Sequence, residues 1–188
     1  MKIKAIANIC KNNKVIRLCS NTDSDGNITT WCSDGCAMYP LLRLPYIEES
    51  GIIAVFDISE KLQASMSIST AANPPVGINL DNIAPDEKPV ERSKVKILLH
   101  DELLLEPLFT SKGTVYIDAK YLTPLSDTPD ITLHERKLDE GSKIPLYITI
   151  KTGFLLCGVI MIHVIGEEYL NEIGRVHSKT KHITPEAK

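Results

Sequence analysis

The chain has 188 residues, enough for one sizeable core, and its 43% hydrophobic and 24% charged content is that of an ordinary globular protein. A net charge of -3 gives no general pull toward nucleic acid or anionic membrane, so contact with DNA needs a local basic face or a protein intermediary. The odd count of 5 cysteines fits reduced thiols better than a disulfide scaffold. The opening Met1–Lys11 is interrupted by Asn8 and Lys11 and is no secretion signal. The longest apolar run, Phe154–Ile165, is too short to span a bilayer and contains Gly158 and His163. The expectation is a soluble cytoplasmic protein.

Ile3, Ile6, Ala7, Ile9 and Cys10 recur at helical spacing and predict an amphipathic helix ending near Asn12-Asn13. Val15–Cys19 and Ile28–Cys32 are β-prone runs around a polar turn and predict a hairpin. Cys36–Tyr39 follows the Ser33-Asp-Gly35 turn as a short third strand. Gly51–Ile58 is ambiguous between helix and strand. Residues 67–93 hold Pro74, Pro75, Pro85 and Pro89 among small and polar residues. They read as a long loop or linker between two halves, with Asn73–Ser93 contributing little to stability. Val95–Leu99 resumes as a strand, and Leu103–Leu108 packs apolar residues before the Ser111-Lys-Gly113 turn.

The C-terminal third constrains the fold most. Val115–Ile117 is a strand, Asp118 a helix N-cap, and Ala119–Leu125 a helix of one or two turns. Ile131–Leu138 and Leu146–Ile150 alternate as half-buried strands, and Gly153 opens the final apolar strand. Glu167–Val176 closes the chain as a helix, and 178–188 reads as a flexible tail. The fold class is α+β, a mostly antiparallel sheet with short helices on one face. Residues 1–177 form one such domain.

Chemical motifs are sparse. In Asn21–Thr29, oxygen-bearing residues and Gly26 match the start of a calcium loop, but position twelve is Cys32, where a bidentate Glu is needed. A polar hairpin turn accounts for the same residues. Cys32-Ser-Asp-Gly-Cys36 has a zinc-compatible spacing, but Cys10 and Cys19 do not supply the second pair. Buried cysteines acting as small hydrophobes are the plainer reading. His100, His134, His163, His177 and His182 form no His-Glu-x-x-His ligand pair. The acidic pairs Asp101-Glu102, Asp139-Glu140 and Glu167-Glu168 read as solvated charges or caps. No nucleophile elbow, P-loop or dinucleotide fingerprint is present. The expectation is a non-enzymatic protein without metal or cofactor. Trp31 and Tyr39 flank one turn. If they share a face of the hairpin they form either core or an aromatic patch for a partner.

Trp31–Leu41, Gly113–Leu125 and Gly153–His163 together resemble small uncharacterised proteins encoded by bacteriophages and prophages. A second resemblance concerns fold. Strand Val115–Ile117, helix Ala119–Leu125 and three following strands look like the β-α-β-β-β unit of the bacterial sliding clamp, whose domains hold two such units. Val159–Val164 is similar to the closing strand of clamps, except that Ile162 stands where they usually carry proline. The N-terminal helix and its three strands fit a second unit lacking its first strand. This resemblance implies a DNA-replication-associated binding protein, with Lys4 and Lys11 of the first helix and Lys120 of the second meeting phosphates. A ring would need several copies, hence a homo-oligomer. The alternative is a protein–protein interaction module acting on a host or phage factor without DNA contact, with Trp31 and Tyr39 as its binding residues.

Overall fold

Helix α1 (Ile3–Asn13) forms because its apolar positions fall on one side: Ile6, Ala7, Ile9 and Cys10 are buried, whereas Lys4, Asn8 and Asn12 face solvent. It stops at Lys14, whose left-handed backbone (φ 55°) turns the chain into the sheet. The structure is a computed structural model that describes residues 1–23, 26–42, 44, 47–99, 103–138 and 146–179. Among these residues it contains eleven strands and five short helices, the α+β class expected from the sequence.

The first half continues with β1 (Val15–Thr22), β2 (Ile28–Ser33) and β3 (Ala37–Pro40), then α2 (Glu49–Val55), α3 (Glu60–Gln63) and β4 (Ser67–Ala71). The ambiguous run 51–58 is thus helical over much of its length. Next come β5 (Lys88–Arg92), β6 (Ile97–Leu98), β7 (Leu104–Thr110) and β8 (Gly113–Asp118). Residues 119–125 form a 3-10 helix whose N-cap, Asp118, accepts a hydrogen bond from the Lys120 amide at 3.0 Å. Strands β9 (Ile131–Lys137), β10 (Leu146–Thr152) and β11 (Leu155–Met161) follow, then helix α4 (Glu167–Lys179). Ser178 and Lys179, expected to begin the tail, lie in α4; residues 180–188, His100, His182, Asp101-Glu102 and Asp139-Glu140 fall outside the described residues.

The strands join in the order β4-β1-β2-β3-β11-β10-β9-β5-β7-β6, with β8 on the other edge of β7. Every pairing is antiparallel except β1 with β4. The path returns on itself, because Tyr116 of β8 bridges His163, just past the end of β11. Two helix-plus-three-strand halves, α1-β1-β2-β3 and 119–125-β9-β10-β11, therefore meet where β3 pairs antiparallel with β11.

Alternation along the strands separates two packed faces. On the first, Ile16, Leu18, Cys32 and Tyr39 join Leu133, Ile148, Ile150 and Ile160 beneath the helices. The 3-10 helix adds Tyr121, Leu122 and Leu125, and α2 adds Ile52 and Phe56. The amide of Lys2 donates to the Pro124 carbonyl at 2.7 Å, tying α1 to the 3-10 helix. The second face carries Cys19, Trp31, Met38, Tyr147, Leu156 and Val159, covered by Ile78 and Leu80 of the proline-rich segment.

The long proline-rich loop between the two halves is tied to the sheet. Residues 72–87 are irregular, but the segment starts in β4, ends in β5 and is strapped to the sheet between them. Arg136, only 1% exposed, donates from Nη1 to the carbonyls of Asn79 and Asp81, both at 2.9 Å. Its Nε donates to Glu87 Oε2 at 2.7 Å, and Lys151 Nζ donates to Glu87 Oε1 at 2.7 Å. The Asn79 amide donates to Tyr147 Oη at 3.0 Å, and the Leu156 amide to Asn82 Oδ1 at 2.9 Å.

Burial alone would raise the Glu87 pKa, but hydrogen bonds from Lys151 and Arg136 outweigh it and hold the carboxyl below its ordinary value. A depressed carboxyl contributes stability that is complete at neutral pH and is lost as pH falls through its folded-state pKa. Glu87→Ala, which strands two buried cations, is expected to cost about 3–5 kcal/mol. Limited proteolysis should then cut between residues 72 and 87 at neutral pH, whereas the wild-type strap should become susceptible only below the ordinary carboxylate range.

Candidate functional site

Polar side chains from both halves converge on a pocket of about 490 Å³ at the end of α1. Its centre is Asp34, buried in the β2–β3 turn. Gly35 follows with φ 96°, a backbone conformation that side chains disfavour. Asp34 Oδ1 accepts the amides of Cys36 at 3.0 Å and Ala37 at 2.8 Å. Its Oδ2 accepts Tyr121 Oη–H at 3.0 Å and Asn13 Nδ2–H at 2.5 Å. Tyr39 Oη–H donates to the Tyr121 carbonyl at 2.6 Å. One carboxylate thus joins α1, the β2–β3 turn and the 3-10 helix.

Burial, followed by the nearby Asp34 charge, pushes the Tyr121 phenol far above its ordinary pKa, so it stays a proton donor to Asp34. Burial raises Tyr39 likewise. With four donors on Asp34, the centre of this pocket is a brace. Its rim differs: Cys36 is an exposed thiol, Asp118 and Lys120 form an ion pair at 2.9 Å, and His163 lies on the surface.

A larger cleft of about 950 Å³ opens between the β1–β2 hairpin, the strap and the β10–β11 hairpin. Trp31, Leu80 and Leu156 form its buried floor. Leu42, Ile83 and Leu155 on its rim are 50%, 70% and 58% exposed, and Phe154 at the adjoining hairpin turn is 81% exposed. Asn21, Thr22 and Asn82 place polar groups between them.

The basic residues proposed for DNA are unequally available. Lys4 is exposed on α1 and makes no ion pair or hydrogen bond among the described residues. Lys11 donates to the Asp57 carbonyl at 3.0 Å. Lys120 is paired with Asp118 and lies 5.0 Å from the centroid of the Tyr121 ring. Lys2 pairs with Asp127 at 2.9 Å.

The shared-face aromatic patch is corrected. Trp31 is opposite Pro40, and Tyr39 is opposite Cys32, so strand alternation sends the two rings to opposite faces. Both are core residues, 3% and 1% exposed, and together they form no exposed aromatic patch.

The same alternation separates the cysteines. Cys10 and Cys32 meet on the first face, sulfur to sulfur at 3.9 Å, while Cys19 lies on the second. Among the described residues no three His, Cys, Asp or Glu side chains are grouped to hold a metal. In the Asn21–Thr29 turn, where Ser24 and Asp25 are outside the described residues, the Asp23 carboxylate accepts the Asn27 amide at 2.8 Å and Asn27 Nδ2 at 3.0 Å. It closes the turn on itself. His134, half-buried on β9, has its pKa lowered chiefly by burial, against the raising influence of Glu87. His163 is an edge residue whose amide donates to the Tyr116 carbonyl at 2.6 Å.

Asp34, Glu87, Arg136 and Lys151 organise these sites and were not singled out from sequence. Asp34 read as an ordinary turn residue; Arg136 occupied a polar position of an alternating strand, a pattern that ordinarily faces water, and Lys151 read as the start of the turn before the last strand, whereas it lies within β10. No family model, curated protein or solved structure matches this chain.

The thiols provide a direct check. Burial pushes Cys19 up to about 11 and raises Cys157; the hydrogen bond with Cys10, then burial, raises Cys32. Thiolate is the reactive form, so iodoacetamide on native protein is expected to label Cys36 first, with the other four labelled only on unfolding. Peptide mass spectrometry reads the order. Asp34→Ala, which orphans several donors, is expected to lower stability by about 2–3 kcal/mol in denaturant titrations.

Proposed function

We propose that the protein is a non-enzymatic phage or prophage accessory protein that works by binding another protein through the cleft beside the β10–β11 hairpin. The observation that carries this reading is the exposed apolar rim of Leu42, Ile83 and Leu155 around a recessed floor, with polar groups interspersed. Apolar surface of this kind gains free energy when a partner covers it, and the surrounding polar groups set orientation. The saturated Asp34 carboxylate supports the non-enzymatic half, because its lone pairs are committed to holding the two halves together.

A clamp-like DNA-binding role is the second reading. The paired helix-plus-three-strand halves, the packing of α1 against the 3-10 helix and the exposed Lys4 and Lys14 favour it. The local partners of Lys2, Lys11 and Lys120 weigh against it, since phosphate must compete with them.

One pair of variants separates the readings. Ile83→Asp with Leu155→Asp is expected to abolish co-purification of the partner from cells expressing the tagged chain, with the melting temperature unchanged. Co-purification that survives this substitution removes the cleft reading. Lys4→Glu, Lys11→Glu and Lys120→Glu together are expected to leave the partner bound. If the wild type binds duplex DNA with steep salt dependence and this triple variant does not, the clamp-like reading replaces the first.

A further inference from the structure

The strap covers the second face of the sheet unevenly. Ile78 and Leu80 pack over the part containing Trp31, Tyr147 and Leu156. Toward β1 and β4, Pro74, Pro75 and Val76 arch above the sheet and leave a cavity of about 520 Å³. Met38, Val159 and Met161 contribute to its floor. Sites for small molecules commonly span about 300–1,000 Å³ and combine an apolar body with a few polar groups that fix orientation.

The arch hangs between two fixed ends. On one side β4 pairs with β1 from Val15↔Ser67 to Cys19↔Ala71. On the other, Arg136 holds the carbonyls of Asn79 and Asp81. The roof is therefore held over the cavity by contacts that do not fill it.

Among the described residues, Arg17 is the one charged side chain lining this space. Its position on β1, opposite Ser33 and two residues from Cys19, places it on the second face. Its guanidinium makes no ion pair or hydrogen bond among the described residues, unlike those of Arg92 and Arg136. A guanidinium presents a planar fork that matches a carboxylate through two parallel hydrogen bonds. An unpaired fork beside an apolar cavity is complementary to a molecule with one carboxylate and one aliphatic chain. A neutral chain leaves the cation unused, and a polyanion leaves excess charge against apolar walls.

We infer that the cavity under the strap binds a small amphipathic carboxylate of the medium-chain fatty acid class, its head on Arg17 and its chain between the strap and the sheet. This site is separate from the cleft rim, and the two are tested independently.

The experiment is calorimetric titration of the full chain with decanoic acid and, separately, with decanol. Decanoate is expected to bind saturably at one site per chain, and decanol at least about tenfold more weakly, because it cannot form the charge-assisted pair. Arg17→Gln should reduce decanoate affinity about tenfold and leave decanol unchanged. Ala71→Trp, at an exposed position that lines the cavity, should abolish binding of both by filling the space. Circular dichroism and thermal melting verify that each variant is folded. Ile83→Asp with Leu155→Asp should not alter decanoate binding, so failure of the cleft reading leaves this result standing. Absence of saturable decanoate binding, equal affinity for decanol, or undiminished decanoate affinity in Arg17→Gln overturns the proposal.

Discussion

The two halves share one sheet through a very short seam, Val159 opposite Met38 and Ile160 opposite Ala37. Such a ladder contributes few backbone hydrogen bonds of its own, so its neighbours must hold the strands in register. The Asp34 carboxylate does this from one side by fixing the turn that presents β3. The Met161 amide extends the contact by donating to the Cys36 carbonyl at 2.8 Å. Gly158 allows the backbones to approach: an added Cβ would lie 3.2 Å from Tyr39 Cδ1 and 3.4 Å from the Met38 carbonyl oxygen. Turn chemistry, side-chain hydrogen bonding and a missing Cβ thus act on the same few residues.

From this seam follow two different kinds of packing. The first face is closed by helices, whose apolar stripes provide area without requiring polar partners in the core. The second is closed by irregular chain, whose carbonyls and amides must find donors and acceptors. Arg136 donates to two of the carbonyls and Tyr147 accepts one of the amides, while Glu87 balances the charges of Arg136 and Lys151. Glu106 repeats the arrangement on a smaller scale, buried beside Arg92 and Lys96. On the second face, ionic groups anchor the segment whose Ile78 and Leu80 cover the sheet.

Much of the secondary structure was legible in the sequence because it depends on local pattern. Ile6, Ala7, Ile9 and Cys10 mark the buried side of α1, and alternation in 131–138 and 146–150 marks strands. Asp118 was readable as a cap because its side chain acts two residues away. The placement of Trp31 and Tyr39 was not, since a shift of one residue in pairing reverses the face a side chain occupies. The role of Asp34 was hidden for a different reason: Tyr121 is 87 positions away. The anchoring of the proline-rich loop was not legible, because proline content reports the lack of a regular ladder and says nothing of tertiary contacts. The exposed rim of the cleft was equally hidden, since Ile83 and Leu155 are brought near each other only by the fold.

The strap also links the two halves by a covalent crossing. In the sheet, β4 stands first and β5 eighth, so the chain between them crosses from one half to the other. Seven strand spacings correspond to roughly 34 Å across a flat sheet. The 16 residues from 72 to 87 reach at most roughly 55 Å when fully extended. The crossing is thus within reach with roughly 20 Å to spare, and proline's preference for extended backbone suits it. One anchorage lies in each half, and Ile78 and Leu80 between them cover residues of both, Trp31 and Met38 of the first and Tyr147, Leu156 and Val159 of the second. Completing that cover therefore depends on the long-range pairing of β3 with β11, the kind of non-local contact that slows folding.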